Sequence, residues 1–176
     1  MATVILLVIV SVAVYAPAMR NLALPLGLAL LAAIAVALPG LLGKRSKAAP
    51  AVAPGRAFNL WAAIGFSALL TLTTLAVALA NRYLGQGYAG AVAALGGAAD
   101  VHAATASVLS LASGGKIAVA DVNLPILLAL TTNSGSKAVA AFVGGGPRYG
   151  LRVSLGLLLL LAAAWSPPLV SLAWPH

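Results

Sequence analysis

Long apolar runs separated by short polar breaks dominate the chain, and their lengths predict membrane helices before any other property is considered. A helix needs about 20 mostly apolar residues to cross the hydrocarbon, and six runs meet or approach that length: 2–19, 22–42, 58–80, 87–112, 122–143 and 151–165. Each is closed by residues that halt a helix or return it to water. Arg20-Asn21, Gly43-Lys44-Arg45, Asn81-Arg82-Tyr83, Ser113-Gly114-Gly115-Lys116, Gly144-Gly145-Gly146-Pro147 and Ser166-Pro167-Pro168 follow the six runs in turn. The predicted fold class is an all-α integral membrane protein of about six transmembrane helices. Residues 1–176 are expected to form a single membrane domain, because the longest hydrophilic stretch, the linker 43–57 with Pro50 and Pro54, is too short to fold by itself. Ala16-Pro17-Ala18 has the small residues of a signal-peptide cleavage site, but no basic region precedes the apolar run, so a retained first helix is expected.

Two of the six runs carry polar side chains at mid-span. In the fourth, Asp100, His102, Thr105 and Ser107 follow Gly96-Gly97. In the fifth, Thr131, Thr132, Asn133, Ser134 and Ser136 lead to Lys137. The middle of 87–112 falls between Ala99 and Asp100, and that of 122–143 between Thr132 and Asn133, so both polar runs belong at the bilayer midplane. Ionisable groups there are costly and mark functional sites. On one unbroken helix, Asp100 and Ser107 would point one way and His102 with Thr105 another. Either other helices surround the fourth, or it breaks at Gly96-Gly97 and Asp100 caps a half-helix, as in transporters that make ion sites from helix ends. Gly87, Gly90, Ala93, Ala94 and Gly97 form a small-residue face suited to close helix approach. Asp100 is the one acid inside the runs and Lys137 needs a partner, so the two are expected to lie within a hydrogen bond or one water of each other.

Composition narrows the class further. Apolar residues make up 62% and charged residues 7%, and the mean hydropathy is +1.09, which excludes an ordinary soluble domain. The net charge of +8 does not suggest nucleic acid, because Lys44, Arg45 and Lys47 adjoin an apolar run without interleaved aromatics; they read as a topology signal and an anionic-lipid contact. With six spans, that cluster favours both termini in the cytoplasm, and a prokaryotic inner (plasma) membrane is the expected location. The absence of cysteine excludes disulfides and Cys-based zinc sites. Three helices followed by three would give a 3+3 inverted repeat with broken helices four and five. Arg56 followed by Gly65, and Arg148 followed by Gly156, are traces of it.

The stretch 81–161 resembles the C-terminal membrane domain of unknown function (domain-of-unknown-function family 4010) of MgtC/SapB-type proteins, a family linked to magnesium homeostasis and divalent cation transport. The resemblance rests on Tyr83-Leu84-Gly85, on Ala99-Asp100-Val101-His102-Ala103 with Thr105 and Ser107, and on Thr132-Asn133 with Lys137. Arg20 and Asn59-Leu60-Trp61 are compatible with it. Where the family pattern has a second acid, this chain has His102, so a di-acidic cation site does not carry over strictly. The MgtC-like half is absent, so the chain is expected to be a stand-alone version or a fragment, and an MgtC-like protein is a candidate partner.

The expected function is transport or channelling of an inorganic ion, a divalent metal cation first, with proton coupling as an alternative because an imidazole titrates near neutral pH. The expected site is Asp100, His102, Asn133 and Lys137 with Thr105, Ser107, Thr131, Thr132, Ser134 and Ser136, the metal ligands being Asp100 and His102. No cofactor is expected beyond a bound divalent cation. The lipid bilayer and a homodimer are the expected partners. A non-transporting module that binds a lipid or partner helix is the second reading. No enzyme is expected, because Ser134 and His102 lack a nucleophile motif.

Overall fold

The first turn of the chain comes earlier than the charged residues predict. Helix α1 (Ala2–Tyr15) is made mainly of Val, Ile, Leu and Ala, and Tyr15 leaves helical geometry at φ −155°, ψ 83°. A 3-10 turn, Ala16–Ala18, then holds Pro17, and α2 (Met19–Leu42) begins immediately. Arg20 and Asn21 therefore sit in the first turn of α2, not in a loop. The computed structural model describes residues 2–42 and 89–173 with the isolated helical positions 64, 68, 71, 72 and 75. The linker 43–57, the stretch 81–88 and the rest of the predicted helix 58–80 lie outside the described residues.

Helix α3 (Ala89–Ser113) ends in a Schellman cap, in which Lys116 N donates to Leu111 O at 2.9 Å and Gly115 N to Ala112 O at 3.0 Å. That cap needs a left-handed residue, which Gly115 supplies at φ 68°. A 3-10 turn, Val119–Val122, leads into α4 (Asn123–Ala173), which covers both the fifth and the sixth predicted helices. Its one non-helical residue is Gly146 at φ 77°, ψ 175°, with Pro147 opening the second limb. Trp165 Nε1 donates to Thr131 Oγ1 at 3.0 Å. On a straight helix these residues would stand about 50 Å apart, so α4 folds back on itself at Gly146. The second limb does not stop at Ser166–Pro168 as predicted but continues to Ala173. Pro167 has no amide for the Ala163 carbonyl, and Ser166 Oγ donates to that carbonyl instead, at 2.8 Å.

Two long-range bonds fix the assembly. Lys137 Nζ donates to Thr3 Oγ1 at 2.6 Å, and Asn21 Nδ2 to Val119 O at 2.9 Å. Helix α1 therefore runs antiparallel to the first limb of α4. Helix α2 turns back beside the second limb, where a Cβ on Gly156 would lie 3.1 Å from Val36 Cγ1. Among the described elements α3 packs most extensively on α4, and Leu7, Leu22, Leu26, Leu109, Ile126 and Leu127 are fully buried between the helices. Among the described residues there is no strand. Three stretches are long and apolar enough to cross a membrane: Ala2–Leu38, Ala91–Ser113 and Val119–Val170. Large apolar side chains such as Leu24, Leu31, Leu158 and Val143 face outward, which suits contact with lipid.

Candidate functional site

The fourth predicted helix does break at mid-span, and the break lies at Asp100 itself (φ −150°, ψ 106°). In a regular helix the amide of His102 would donate to the carbonyl of Ala98. Here side chains serve both groups. Asp100 Oδ1 accepts from His102 N at 2.8 Å, the bond of an N-cap residue to its second helical amide, and Ser136 Oγ donates to Ala98 O at 3.0 Å. One turn earlier Thr132 Oγ1 donates to Ala94 O at 2.6 Å. Carbonyls and amides without partners are very costly where water is absent, so these contacts make a break tolerable inside an apolar stretch.

Gly96 and Gly97 were the expected break point, yet both remain helical. Gly97 has another role. A Cβ there would lie 2.6 Å from the carbonyl carbon of Ala129, with the Ala129 oxygen and Cα nearer still. The backbones of α3 and α4 thus touch at Gly97, and that close approach lets Thr132 and Ser136 reach the carbonyls of α3. The fifth predicted helix does not break within its polar run, since Thr131 through Lys137 stay helical and α4 breaks only at Gly146.

The ten candidate residues fall into distinct groups. Thr132 and Ser136 join α4 to α3, while Thr131 Oγ1 donates to Leu127 O at 2.8 Å and accepts from Trp165. Ser107 is exposed and donates to Ala103 O within its own helix. Thr105 is completely buried, yet its hydroxyl has no partner, and neither does the buried Nδ1 of His102. Asn133 and Ser134 are buried as well. The expected pairing of Asp100 with Lys137 is not the one observed: no ion pair joins them, because Asp100 caps the half-helix and the ammonium reaches across to Thr3 on α1. Neither Thr3 nor Trp165 is marked as a partner by its place along the chain. Thr3 lies at the edge of an apolar run, and Trp165 stands at the last position of the predicted run 151–165, far along the chain from Thr131.

Residues 1–145 match the family described as Domain of unknown function (DUF4010). The chain belongs to this family. No curated protein and no solved structure matches it. The matched part of this DUF4010 chain contains the break at Asp100, its capping partners and all ten candidate residues, while the second limb of α4 lies beyond it. Among the described residues no three His, Cys, Asp or Glu side chains converge as a metal cluster. A hard cation at this break would therefore depend on oxygen from Asp100, from the hydroxyls and the Asn133 amide, and from carbonyls at the end of the first half-helix. That donor set suits a hard divalent or monovalent cation better than zinc or copper.

Proposed function

We propose that this DUF4010 chain is a transporter or channel for an inorganic ion, a divalent metal cation first, with proton coupling through His102. The observation that carries the reading is the helix break at Asp100 in an apolar span, stabilised by Asp100 and Ser136 at its two sides. Helix ends at mid-membrane offer oriented carbonyls and amides without the cost of a charged cage. Asp100 is the proposed anionic ligand, with Asn133, Thr105 and Ser134 as neutral ligands and His102 as the group that exchanges a proton. Five limbs, namely α1, α2, α3 and the two halves of α4, together with 58–80 as the third, make six spans, with both termini cytoplasmic in a prokaryotic inner membrane. The 3+3 inverted repeat and a homodimer closing the narrow bundle belong to the same reading. The test is metal flux into proteoliposomes. Asp100→Asn and His102→Ala are each expected to lower Mg²⁺ or Mn²⁺ uptake at least about tenfold, the effect of losing a charge-assisted contact. Unchanged flux and unchanged metal-dependent stability in both variants would defeat the assignment.

One observation favours the second reading, a module that binds a lipid or partner helix without transport. Thr132, Ser136 and Gly97 all serve the packing of α3 on α4. If Gly97→Leu abolishes function in cells while Asp100→Asn does not, that reading prevails.

A further inference from the structure

Among the described residues no carboxylate meets the Lys137 ammonium. The whole chain contains two acidic side chains, Asp100 and Asp121, against ten lysines and arginines. Asp100 is committed to the His102 amide. Asp121 lies in the 3-10 turn before α4, sixteen residues from Lys137, which is about 24 Å along the limb. Thr3 is the partner observed, and its neutral hydroxyl takes one of three ammonium protons. The first limb of α4 belongs to the stretch Val119–Val170, which is long and apolar enough to cross a bilayer, and a lone cation within such a stretch is costly unless something negative neutralises it.

The same lysine lines an open cavity of about 700 Å³. Ala141, Gly144, Gly145 and Tyr149 form much of the remaining wall, on both sides of the turn at Gly146. Measured from the centre of the predicted span, Lys137 lies about 7 Å from the midplane and Gly144 about 17 Å, near the hydrocarbon edge. The cavity therefore leads from the interface down to the ammonium. Among the described residues that line it there is no acid and the polar side chains are Lys137 and the Tyr149 phenol, and its volume is that of a site for a ligand of many atoms rather than a halide ion.

We propose that this cavity binds a phosphate-type oxyanion, as a phospholipid headgroup or as free phosphate, with Lys137 as its charged anchor. The site is separate from the break at Asp100 and does not depend on ion transport. The test uses the purified full chain and reads thermal unfolding by intrinsic fluorescence. One arm titrates inorganic phosphate in neutral detergent. The other compares nanodiscs of phosphatidylcholine with nanodiscs containing phosphatidylglycerol. Stabilisation by phosphate identifies a free anion as the source, and stabilisation by phosphatidylglycerol alone identifies a lipid headgroup. In either case Lys137→Met should weaken the apparent affinity at least about tenfold, as expected for losing a charged hydrogen-bond donor, while Lys137→Arg should retain it. Gly144→Leu gives an independent check, because Gly144 lines the cavity and a Cβ there meets nothing within 4 Å, so the added side chain has open space to fill. It should abolish the stabilisation with Lys137 intact. Stabilisation by neither probe, or an equal response in the wild-type chain, Lys137→Met and Gly144→Leu, overturns the proposal.

Discussion

Replacing Gly97 with alanine tests how closely the two central helices approach. The new Cβ would stand 2.6 Å from the Ala129 carbonyl carbon, whereas carbon atoms in contact prefer about 3.5–4.0 Å. The obstacle is backbone, which cannot swing aside as a flexible side chain could, so α3 and α4 must part by about 1 Å. That movement would stretch the Thr132–Ala94 bond from 2.6 Å and the Ser136–Ala98 bond from 3.0 Å. They would reach about 3.6 and 4.0 Å, beyond the range of an effective hydrogen bond. Each bond contributes about 0.6–1.5 kcal/mol, and forced overpacking costs a further ~1–3 kcal/mol. Set against the ~0.5–1 kcal/mol that alanine gains over glycine inside a helix, Gly97→Ala should therefore destabilise the domain by about 1–5 kcal/mol, read as a shift in the unfolding curve on SDS titration of mixed micelles followed by circular dichroism. Gly135 is the control, since it is exposed and a Cβ there meets nothing within 4 Å. Gly135→Ala should stabilise by about 0.5–1 kcal/mol, the gain of alanine over glycine inside a helix. If Gly97→Ala behaves like Gly135→Ala, the helices do not meet as described and the argument for the Thr132 and Ser136 bridges fails with it.

Further outcomes follow from individual bonds. Asp100→Ala should cost about 0.5–2 kcal/mol through loss of the cap, while Asp100→Asn, which keeps an accepting oxygen, should stay within a few tenths, both read by the same titration. Ser136→Ala should cost about 1–3 kcal/mol by leaving the Ala98 carbonyl without its hydroxyl. The double variant Asp100→Ala with Ser136→Ala should cost less than the sum of the two, because the freed His102 amide and Ala98 carbonyl can then bond to each other; strict additivity in that cycle would contradict the described break. Trp165→Phe should lose about 0.6–1.5 kcal/mol with the bond to Thr131, and no change in its unfolding midpoint would place the second limb of α4 elsewhere.

Much of this architecture is legible in the order of residues. The apolar runs, the membrane class and the mid-span position of the polar residues follow from hydropathy and length, because in lipid a backbone has little choice but to form a helix. Asp100 as a half-helix cap is also a local property, a short acceptor two residues before an amide it can reach. Other features depend on register between helices. The turn at Ala16–Ala18 replaces one at Arg20-Asn21 because Asn21 has a partner in Val119. The end of α4 moves past Pro167 because Ser166 serves the carbonyl that the proline strands.

The sequence by itself determined what kind of molecule this is and which side chains interrupt its apolar stretches, since position is counted along a helix and needs no neighbour. Only the tertiary structure decided the partners. Asp100 and Lys137 were natural mates by charge and depth, yet a helix break consumed one and a threonine on α1 received the other. The physical reason is that charge ranks candidate partners, whereas helix rotation and the approach allowed at Gly97 determine which atoms come within 3 Å. That choice left the Lys137 ammonium on a neutral hydroxyl beside an open cavity.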